Sequence, residues 1–441
     1  MNDGVKDAVC RAIDARRETI ESIGRQIFAA PELGFKEERT ARLVAEYLAQ
    51  LGLRCETGLG MTGLKAVVDA GTAGPTVGVL GELDSLLVWE HPQHDPNTGA
   101  AHACGHNLQI AAMLGAAFGL LESGVLPSLA GRVAFMAVPA EEFVEIEQRL
   151  QFKSEGRLEF LAGKQEMLRV GAFDDVDMAM MIHATTTPSE GRLGVGGTTN
   201  GMVAKFIRYV GHATHASAPQ KATNALYAAH VALAGINALR ETFDDDQHIR
   251  VHPIITRGGD IVSAIPADVR METFVRGATT SAIEAAHQKI DRALQAGALA
   301  LGARLELTTV PGYLPMHQDP NLMDVFRHNA ETLIGAEHVG NVGHRAGGTD
   351  MGDLGHVMPV LHPFTAGVSG TIHGADFAID DYAAAAMTPA KTLAMTVVDL
   401  LSDGAARARG VLDNFEPQFT RGGYIAFMRS LAGTTVHDYL A

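Results

Sequence analysis

Apolar runs and helical repeats alternate along most of the chain. Short β-branched and apolar runs, bounded by glycine, proline or charged residues, predict strands at residues 64–68, 76–80, 132–138 and 177–182. Between them, apolar positions at helical spacing predict helices, of which the alanine-rich stretch 108–121 is the most regular. Such alternation is typical of an α/β fold with a mostly parallel central sheet covered by helices.

The two ends of the chain extend this pattern. Helical spacing over residues 12–51 predicts two helices, divided at the Ala30-Pro31-Glu32-Leu33-Gly34 stretch. Further helices are expected at residues 320–334 and 380–401. Beyond residue 403 the chain is polar and is expected to be irregular until residues 424–431.

A different order of elements occupies residues 198–310. Strand, helix, strand, strand, helix and strand follow one another there, which is a ferredoxin-like β-α-β-β-α-β layout. Alternation of the first kind resumes afterwards. We therefore expect an inserted α+β domain at 198–310 within a main domain formed by residues 1–197 and 311–441, with a C-terminal tail.

Length and charge exclude several classes of protein. A chain of 441 residues with 46% hydrophobic and 20% charged residues is expected to fold into two or three globular units. The formal net charge of −16 argues against a nucleic-acid partner, because binding phosphates needs a basic surface. The longest apolar run, residues 110–121, is too short to span a membrane.

The start of the sequence and its cysteines bear on location. Residues 1–10 carry acidic side chains and lack the apolar core of a secretory signal, so cytoplasmic residence is expected. Three cysteines, Cys10, Cys55 and Cys104, cannot form a disulfide framework. A reducing compartment would leave Cys104 available as a thiolate.

The candidate chemistry centres on the segment Ala101-His102-Ala103-Cys104-Gly105-His106-Asn107. Cysteine and histidine are preferred ligands of zinc and its neighbours, and a glycine between them lets both side chains face one ion. A buried structural thiol beside histidines is the alternative. The segment lies between a strand that ends in Gly81-Glu82-Leu83-Asp84 and the alanine-rich helix, where open α/β sheets place their ligands.

Two more strand ends carry candidate ligands. The strand at 132–138 is followed by Pro139-Ala140-Glu141-Glu142, and the strand at 177–182 by His183. Adjacent carboxylates after a buried strand need compensation, and a metal ion commonly provides it. A solvent-exposed turn and a hydrogen-bonded core histidine are the alternatives.

A further ligand is expected in the last third of the chain. His373 lies between a strand-like stretch and a turn. Spacing alone does not choose between it and the other histidines of that region, His344, His356 and His362.

Taken together, the motifs resemble the M20 metallopeptidase family, in particular its aminoacylase and amidohydrolase branch, which includes hippurate hydrolase, auxin-conjugate hydrolases and aminobenzoyl-glutamate hydrolase. About nine tenths of the chain takes part in the resemblance. The motifs recur in order: Pro31-Glu32-Leu33-Gly34-Phe35 with Glu38 and Thr40, Asp84-Ser85-Leu86, His102-Ala103-Cys104-Gly105-His106, Pro139-Ala140-Glu141-Glu142, His215-Ala216 with Pro219, Gly258-Gly259 with Ile265-Pro266, and His373.

The resemblance implies a divalent metal site, with zinc or manganese as the metal and one or two ions per subunit. Cys104 is similar to the bridging thiolate of the family, and the implied remaining ligands are His106, Glu142, His183 and His373. Glu141 resembles the family's general base, and Asp84 resembles the carboxylate that orients a ligand.

The resemblance also assigns roles to the inserted domain, which it implies is a lid and dimerisation domain of a homodimer or higher homo-oligomer. His215 would polarise the reaction oxyanion, in the partner subunit's site, and Arg276 would hold a substrate carboxylate.

Several positions depart from the family pattern. Asn107 stands where this branch usually has aspartate, and Ser263 replaces the usual asparagine before Ile265-Pro266; we count both as candidate substrate-binding residues. Glu82 stands where distant relatives place a ligating histidine, so the sequence does not decide whether one or two metal ions bind. The segment 143–169 is longer than usual, and its chemistry is unassigned.

The resemblance thus implies a metal-dependent hydrolase that cleaves the amide bond of a small N-acyl or N-aroyl amino acid. Two alternatives stay open. One is hydrolytic removal of an amino group from a substituted aromatic ring, which the departures at Asn107 and Ser263 motivate. The other is a binding protein that kept the scaffold without its chemistry.

Overall fold

The computed structural model describes residues 3–440 of the chain. Its α-helices are α1 (Asp3–Ala15), α2 (Arg17–Phe28), α3 (Glu38–Gln50), α4 (His106–Glu122), α5 (Ile146–Ser154), α6 (Gly163–Val170), α7 (Ala225–Leu239), α8 (Thr280–Leu301), α9 (Pro320–Ile334), α10 (Met351–Gly355), α11 (Thr388–Leu401), α12 (Ala406–Asp413) and α13 (Arg421–Leu431). Within residues 3–440, none of the helices has the length and apolar character that a membrane crossing requires.

The strands are β1 (Cys55–Leu59), β2 (Gly63–Asp69), β3 (Thr72–Glu82), β4 (Leu86–Leu87), β5 (Ala100–Ala101), β6 (Ala130–Val138), β7 (Met178–Met180), β8 (His183–Ala184), β9 (Leu193–Gly196), β10 (Gly201–Val210), β11 (Arg250–Val251), β12 (Ile254–Arg257), β13 (Asp268–Gly277), β14 (Arg304–Pro311), β15 (Val339–Val342), β16 (Val360–Leu361), β17 (Phe364–Thr365), β18 (Val368–Ser369), β19 (Ala378–Ile379) and β20 (Gly433–Asp438).

Two compact units are formed from interleaved parts of the chain. Unit 1 consists of Met1–Gly197, His317–Gly343 and Asp353–Arg421. Unit 2 consists of Thr198–Met316, His344–Gly352 and Gly422–Ala441.

The main sheet of unit 1 has the strand order β1-β2-β6-β3-β7-β16. The pairs β3·β6, β3·β7 and β7·β16 are parallel, whereas β1·β2 and β2·β6 are antiparallel. The predicted mostly parallel sheet is therefore confirmed, with antiparallel pairing confined to one edge. A second sheet of order β15-β9-β17-β8 carries His183 at its β8 end.

Helix α4 forms the centre of the core of unit 1. Every residue from His106 to Leu120 is buried, so this helix is apolar all round rather than amphipathic. It packs against β3 and against α1, α2 and α11. Small side chains permit the close approach of α4 and α11, since a Cβ atom at Gly115 would lie only 2.7 Å from Ala390 Cβ.

Unit 2 contains an antiparallel sheet of order β11-β13-β10-β14-β20, with β12 also paired to β13 and with α7 and α8 packed on it. The order from β10 to β14 is the predicted ferredoxin-like one. The side chains of Asn224 and Thr279 accept hydrogen bonds from the first turns of α7 and α8, which explains where these helices begin.

Several details differ from the sequence predictions. The segment predicted as two helices forms three, because the chain breaks at Arg16, where neither glycine nor proline marks a boundary. The helix predicted at residues 380–401 begins with a π-helical turn, Ala383–Met387, ahead of Pro389 in α11. The assignment of all of residues 311–441 to the main domain is also wrong, since β20 pairs with β14 and Arg345 O accepts from Asn200 N within unit 2.

Candidate metal centre

The Cys104 segment is held at the end of the main sheet by a hairpin and a helix. Strand β3 ends at Glu82, and the short β4–β5 pair brings the chain back to the segment. Gly105 has φ 90°, a conformation that favours glycine, and a Cβ atom there would lie 2.8 Å from Ala184 Cβ. Glycine is therefore required at the turn that points Cys104 and His106 to the same side.

Cys104 belongs to two groups of potential metal ligands. One group is Cys104, His106 and His183, and the other is Cys104, Glu142 and His373; in each, the ligand atoms lie within 4.8 Å of one another. Cys104 Sγ is 3.4 Å from His183 Nε2 and 3.3 Å from His373 Nε2. The structure thus brings all five predicted ligands together around one thiol.

Backbone hydrogen bonds orient the His183 ring and hold the His373 turn. His183 Nδ1 lies 2.8 Å from Ala184 O, to which it donates in the tautomer that leaves Nε2 facing Cys104. His373 has φ 66°, and its backbone N–H donates to Ala103 O at 2.8 Å. That bond connects the His373 turn directly to the Cys104 segment.

Asp84 contacts two of the predicted ligands from behind. His106 Nδ1 lies 3.0 Å from Asp84 O and 3.2 Å from Asp84 Oδ1, while Asp84 Oδ2 accepts from the Glu142 N–H at 2.8 Å. Asp84 is fully buried. This is the geometry that an orienting carboxylate requires.

A third group of acidic and basic side chains lies beside His106. Glu82, His106 and Glu141 have ligand atoms within 4.8 Å of one another, and Glu141 Oε2 is 4.0 Å from His106 Nε2. Glu82 Oε1 pairs with the buried Lys164 at 2.5 Å, and Glu82 Oε2 accepts from Gln109 at 2.8 Å. Glu82 is therefore a neutralised carboxylate next to the site.

The structure distinguishes the four candidate histidines of the last third of the chain. His373 alone of them is in a ligand group with Cys104 among the described residues. His344 contacts Thr198 and Asn200 in unit 2, and His356 contacts Gln418. His362 packs against His183, with ring centroids 5.5 Å apart.

The negative charges of Cys104 and Glu142 are balanced by a protonated imidazole, that of His373. Burial alone would raise the pKa of the Cys104 thiol, but the His183 and His106 imidazoles outweigh burial and lower that pKa to about 6. Burial also acts to raise the pKa of Glu142, which the His373 hydrogen bond and charge lower to about 2. Burial acts to lower the pKa of His373, whereas Cys104 and Glu142 raise it to about 11.

These residues fit a divalent transition metal. Thiolate, imidazole and carboxylate are the ligand types that zinc accepts, and manganese accepts the imidazoles and carboxylates. The buried His106 Nε2 makes no hydrogen bond of good geometry within residues 3–440, although Glu82 Oε2 is 3.1 Å away. A buried imidazole nitrogen without a hydrogen bond is available to bind a metal ion.

Metal binding should release a proton from His373. The raised pKa keeps this imidazole protonated in metal-free protein until the pH passes about 11, whereas Cys104, with a pKa of about 6, is already a thiolate at neutral pH. A ligating imidazole must be neutral, and against the effect of burial Glu82 and Cys104 also raise the pKa of His106, and Cys104 that of His183. We therefore expect at least one proton released per site and an apparent affinity that rises at least about tenfold per pH unit between about pH 7 and pH 10. Titration calorimetry in buffers of different ionisation enthalpy measures both. An affinity that does not depend on pH in this range would contradict the assignment of His373.

Two of the predicted residues of unit 2, His215 and Ser263, lie together. His215 pairs with Ala264 in an isolated β-bridge, and Ala216 N donates to Ser263 O at 2.8 Å, so His215 and Ser263 lie side by side and exposed. The Ser217 N–H donates to His215 Nδ1 at 3.2 Å. Arg276 lies at the end of β13, with its guanidinium 5.3 Å from the Phe274 ring centroid.

Asn107 is part of the link between α4 and α2. Its side chain is fully buried, and Asn107 Nδ2 donates to Gly24 O at 3.0 Å. Contact of Asn107 with a substrate stays a prediction.

Sequence reasoning missed three charged residues near the site. Lys164 neutralises Glu82, while Glu37 and Arg149 hydrogen-bond the backbone of the Pro139–Glu142 turn. Glu37 is fully buried, and burial together with the Asp84 charge raises its pKa to about 7. The one available signal was the position of Glu37 two residues after the Pro31–Phe35 motif.

Comparison with known proteins gives consistent results. The model of peptidase family M20/M25/M40 matches residues 79–397. The chain is 28% identical to the Xaa-Arg dipeptidase of Mus musculus over 426 residues, covering 90% of this chain and 89% of that protein. It is 24% identical over 323 residues to the N-acyl-L-amino acid amidohydrolase of Geobacillus stearothermophilus, covering 70% of this chain and 81% of that one.

The fold is also similar to that of solved structures. A Bacillus subtilis protein described as a dinuclear metal binding peptidase superposes with a TM-score of 0.66 at 21% identity, covering 88% of this chain and 99% of that one.

Proposed function

The chain belongs to peptidase family M20/M25/M40, and from this premise we propose that it cleaves the amide bond of a small N-acyl or N-aroyl amino acid. Family membership and its amidohydrolase relatives make it a hydrolase of C–N amide bonds, which decides against a non-catalytic binding protein. The observation that carries the finer proposal is the shared Cys104 thiol, with two ligand groups around it and Glu141 beside them.

Cys104, His106, Glu142, His183 and His373 would hold the metal, zinc or manganese, as one or two ions per subunit. When bound, such a metal supplies Lewis acidity to water and to a carbonyl oxygen. The two groups that share Cys104 support two ions, whereas Glu82, held by Lys164 and Gln109, is occupied by other partners.

Glu141 is the general base of the proposed reaction. Its carboxylate lies 4.0 Å from His106 Nε2, close to the ligand groups and outside both that share Cys104. A carboxylate so placed can take a proton from the attacking water and return it to the leaving nitrogen.

His215 is proposed to donate a hydrogen bond to the oxygen of the cleaved carbonyl. The Ser217 N–H donates to Nδ1, and Ser217 Oγ, 2.7 Å from Nδ1, can donate to it as well. The neutral ring then carries its proton on Nε2, which is the form that can stabilise an oxyanion. Arg276 is proposed to bind the substrate carboxylate, with Ser263 and Asn107 as further substrate contacts. An amino-acid carboxylate suits a guanidinium, which binds it through two parallel hydrogen bonds.

Incubation with a defined substrate panel tests this function. The panel contains N-acetyl and N-benzoyl amino acids, p-aminobenzoyl-glutamate, dipeptides ending in arginine, and substituted anilines. We expect metal-dependent release of a free amino acid from the acylated compounds. Release of ammonia from the anilines, without hydrolysis of the acylated compounds, would favour aromatic deamination instead. The departures from the family pattern at Asn107 and Ser263 are the reason to test this alternative.

We propose further that the protein is a cytoplasmic homodimer in which unit 2 provides the contact surface. Large hydrophobic side chains are exposed on that unit and would be covered by a second copy. They include Tyr227, Ile254, Ile255, Ile261 and Val262.

Mixing two inactive variants tests the position of His215. If His215 acts in the partner subunit's site, a dimer of one Glu141→Gln chain and one His215→Ala chain contains one complete site. Random mixing of refolded chains should then restore about a quarter of the wild-type activity, because about half the dimers are mixed and each has one of two sites intact. No recovery, in samples shown by native mass spectrometry to contain mixed dimers, would mean that His215 does not act across the dimer.

A further inference from the structure

The turn that presents Glu141 and Glu142 is held by hydrogen bonds to the backbone of Ala140 and Glu142. The Ala140 N–H donates to Glu37 Oε1 at 2.7 Å, and Ala140 O accepts from Gly163 N at 3.1 Å. On the other side, the Glu142 N–H donates to Asp84 Oδ2 at 2.8 Å. Glu142 O accepts from an Arg149 guanidinium nitrogen at 2.5 Å.

The turn needs such support because its backbone is strained. Ala140 is a buried, non-glycine residue with φ 48°, in the left-handed region that L residues adopt only at a cost. Strain of this kind persists only when surrounding contacts fix the conformation. Here the conformation sends two adjacent carboxylates to different places, Glu141 toward His106 and Glu142 toward His373.

Glu37 is buried between this turn and Thr62. Its side chain is fully buried, one oxygen accepts from Ala140 N, and the other accepts from Thr62 Oγ1 at 2.5 Å. Its segment lies directly against the turn, since a Cβ atom at Gly34 would lie 2.9 Å from Ala140 Cα. Burying a carboxylate is costly, and one hydrogen bond from the strained turn together with one from Thr62 offsets that cost.

Arg149 supports the same turn from a segment that follows it in the chain, whereas Glu37 precedes it. It is 1% exposed, it donates to Leu161 O at 2.6 Å as well as to Glu142 O, and it lies over the Phe35 ring at 5.1 Å. Arg149 belongs to α5, in the long segment to which the sequence assigned no chemistry. Both charged side chains hydrogen-bond backbone atoms of the turn, and neither is among the ligand groups.

We propose that Glu37 and Arg149 are positioning residues, which hold the Ala140–Glu142 backbone so that the Glu141 carboxylate meets the reacting water while Glu142 faces Cys104 and His373. The inference rests on the proposed function for its effect on turnover. Its effect on the geometry of the site does not depend on the substrate.

Two substitutions at Glu37 separate positioning from stability. Glutamine keeps an acceptor for the Ala140 N–H, whereas methionine removes it at similar volume. We expect Glu37→Met to lower kcat by about 10- to 100-fold per folded, metal-loaded molecule with KM changed less than about threefold, as small displacements of reacting groups do. Glu37→Gln should stay within about threefold of wild type, and exposed Glu38→Met serves as the control.

Arg149 provides an independent variant. Lysine keeps the charge but cannot reach both Leu161 O and Glu142 O, so Arg149→Lys should lower kcat in the same sense without changing KM. Arg157, whose side chain is 49% exposed, supplies the matched control Arg157→Lys. If Glu37→Met does not fold, the comparison of Arg149→Lys with Arg157→Lys tests the proposal.

The visible absorption spectrum of cobalt(II)-loaded protein provides a readout without substrate. We expect Glu37→Met and Arg149→Lys to change the intensities of the cobalt bands because Glu142 moves, and Glu37→Gln to match wild type. Variants that fold, load metal and keep both the wild-type spectrum and the wild-type kcat would overturn the proposal, as would Glu37→Gln behaving like Glu37→Met. If wild type hydrolyses none of the acylated amino acids, the proposed function fails while the spectra still decide the positioning.

Discussion

Replacement of Glu141 by glutamine is expected to lower kcat by about 10²- to 10⁴-fold, the range typical of a lost general base, while bound metal stays at the wild-type level. Glutamine preserves the volume of the side chain and one acceptor oxygen, so the turn is expected to keep its conformation. It cannot take a proton from water. Glu141 is outside both ligand groups that share Cys104, and therefore metal content is expected to be unaffected.

Metal analysis and single-turnover kinetics on the same sample measure the two parts of this prediction. Glu147→Gln, an exposed glutamate six positions further along the chain, is the matched control and should behave as wild type. Loss of metal together with activity would make Glu141 a ligand. Retention of both would remove it from the mechanism.

Replacement of Cys104 by serine is expected to have the largest effect on metal binding. The thiol is common to both ligand groups, and its low pKa provides a thiolate at neutral pH, which a serine hydroxyl cannot replace. We expect the metal affinity to fall by more than about 100-fold, beyond what the loss of an orienting partner causes, and hydrolysis to be lost with it.

Thermal unfolding with and without metal shows this directly. Metal at about 100 times its Kd should stabilise the wild-type protein by about 2.7 kcal/mol, and this gain should disappear in Cys104→Ser. The half-buried Cys55 of β1 supplies the control variant Cys55→Ser, which should retain the gain. A Cys104→Ser protein that is stabilised by metal as strongly as wild type would contradict the bridging role.

The sequence was informative where short segments carry both the structure and the chemistry. Strand-like runs followed by charged residues located Glu141 and Glu142 after β6, because parallel strands deliver their last residues to one edge of a sheet. His183 was expected at the end of a strand at 177–182, but β7 ends at Met180 and His183 begins β8 of the second sheet. The helix at Pro320–Ile334 was bounded correctly by proline and glycine signals. His373 could be chosen over His344, His356 and His362 only from the family resemblance, since its contact with Cys104 joins positions 269 residues apart.

Long-range contacts account for what the sequence did not reveal. Lys164 and Glu82 are 82 positions apart, and in the sequence each one, taken alone, looks like an ordinary surface residue. Arg149 and Glu37 bind backbone atoms, which leave no residue-type signature at the position contacted. The break at Arg16 and the strand β20 depend on packing and pairing with distant elements, which local propensity does not report.

The most direct test of the metal centre is an anomalous difference map from crystals grown with zinc and measured at the zinc absorption edge. We predict density for one or two ions about 2.3 Å from Cys104 Sγ, with imidazole nitrogens of His106, His183 and His373 at about 2.0–2.1 Å and a Glu142 oxygen as the remaining ligands. Zinc bound at other residues, with Cys104 free of metal in fully loaded protein, would contradict it.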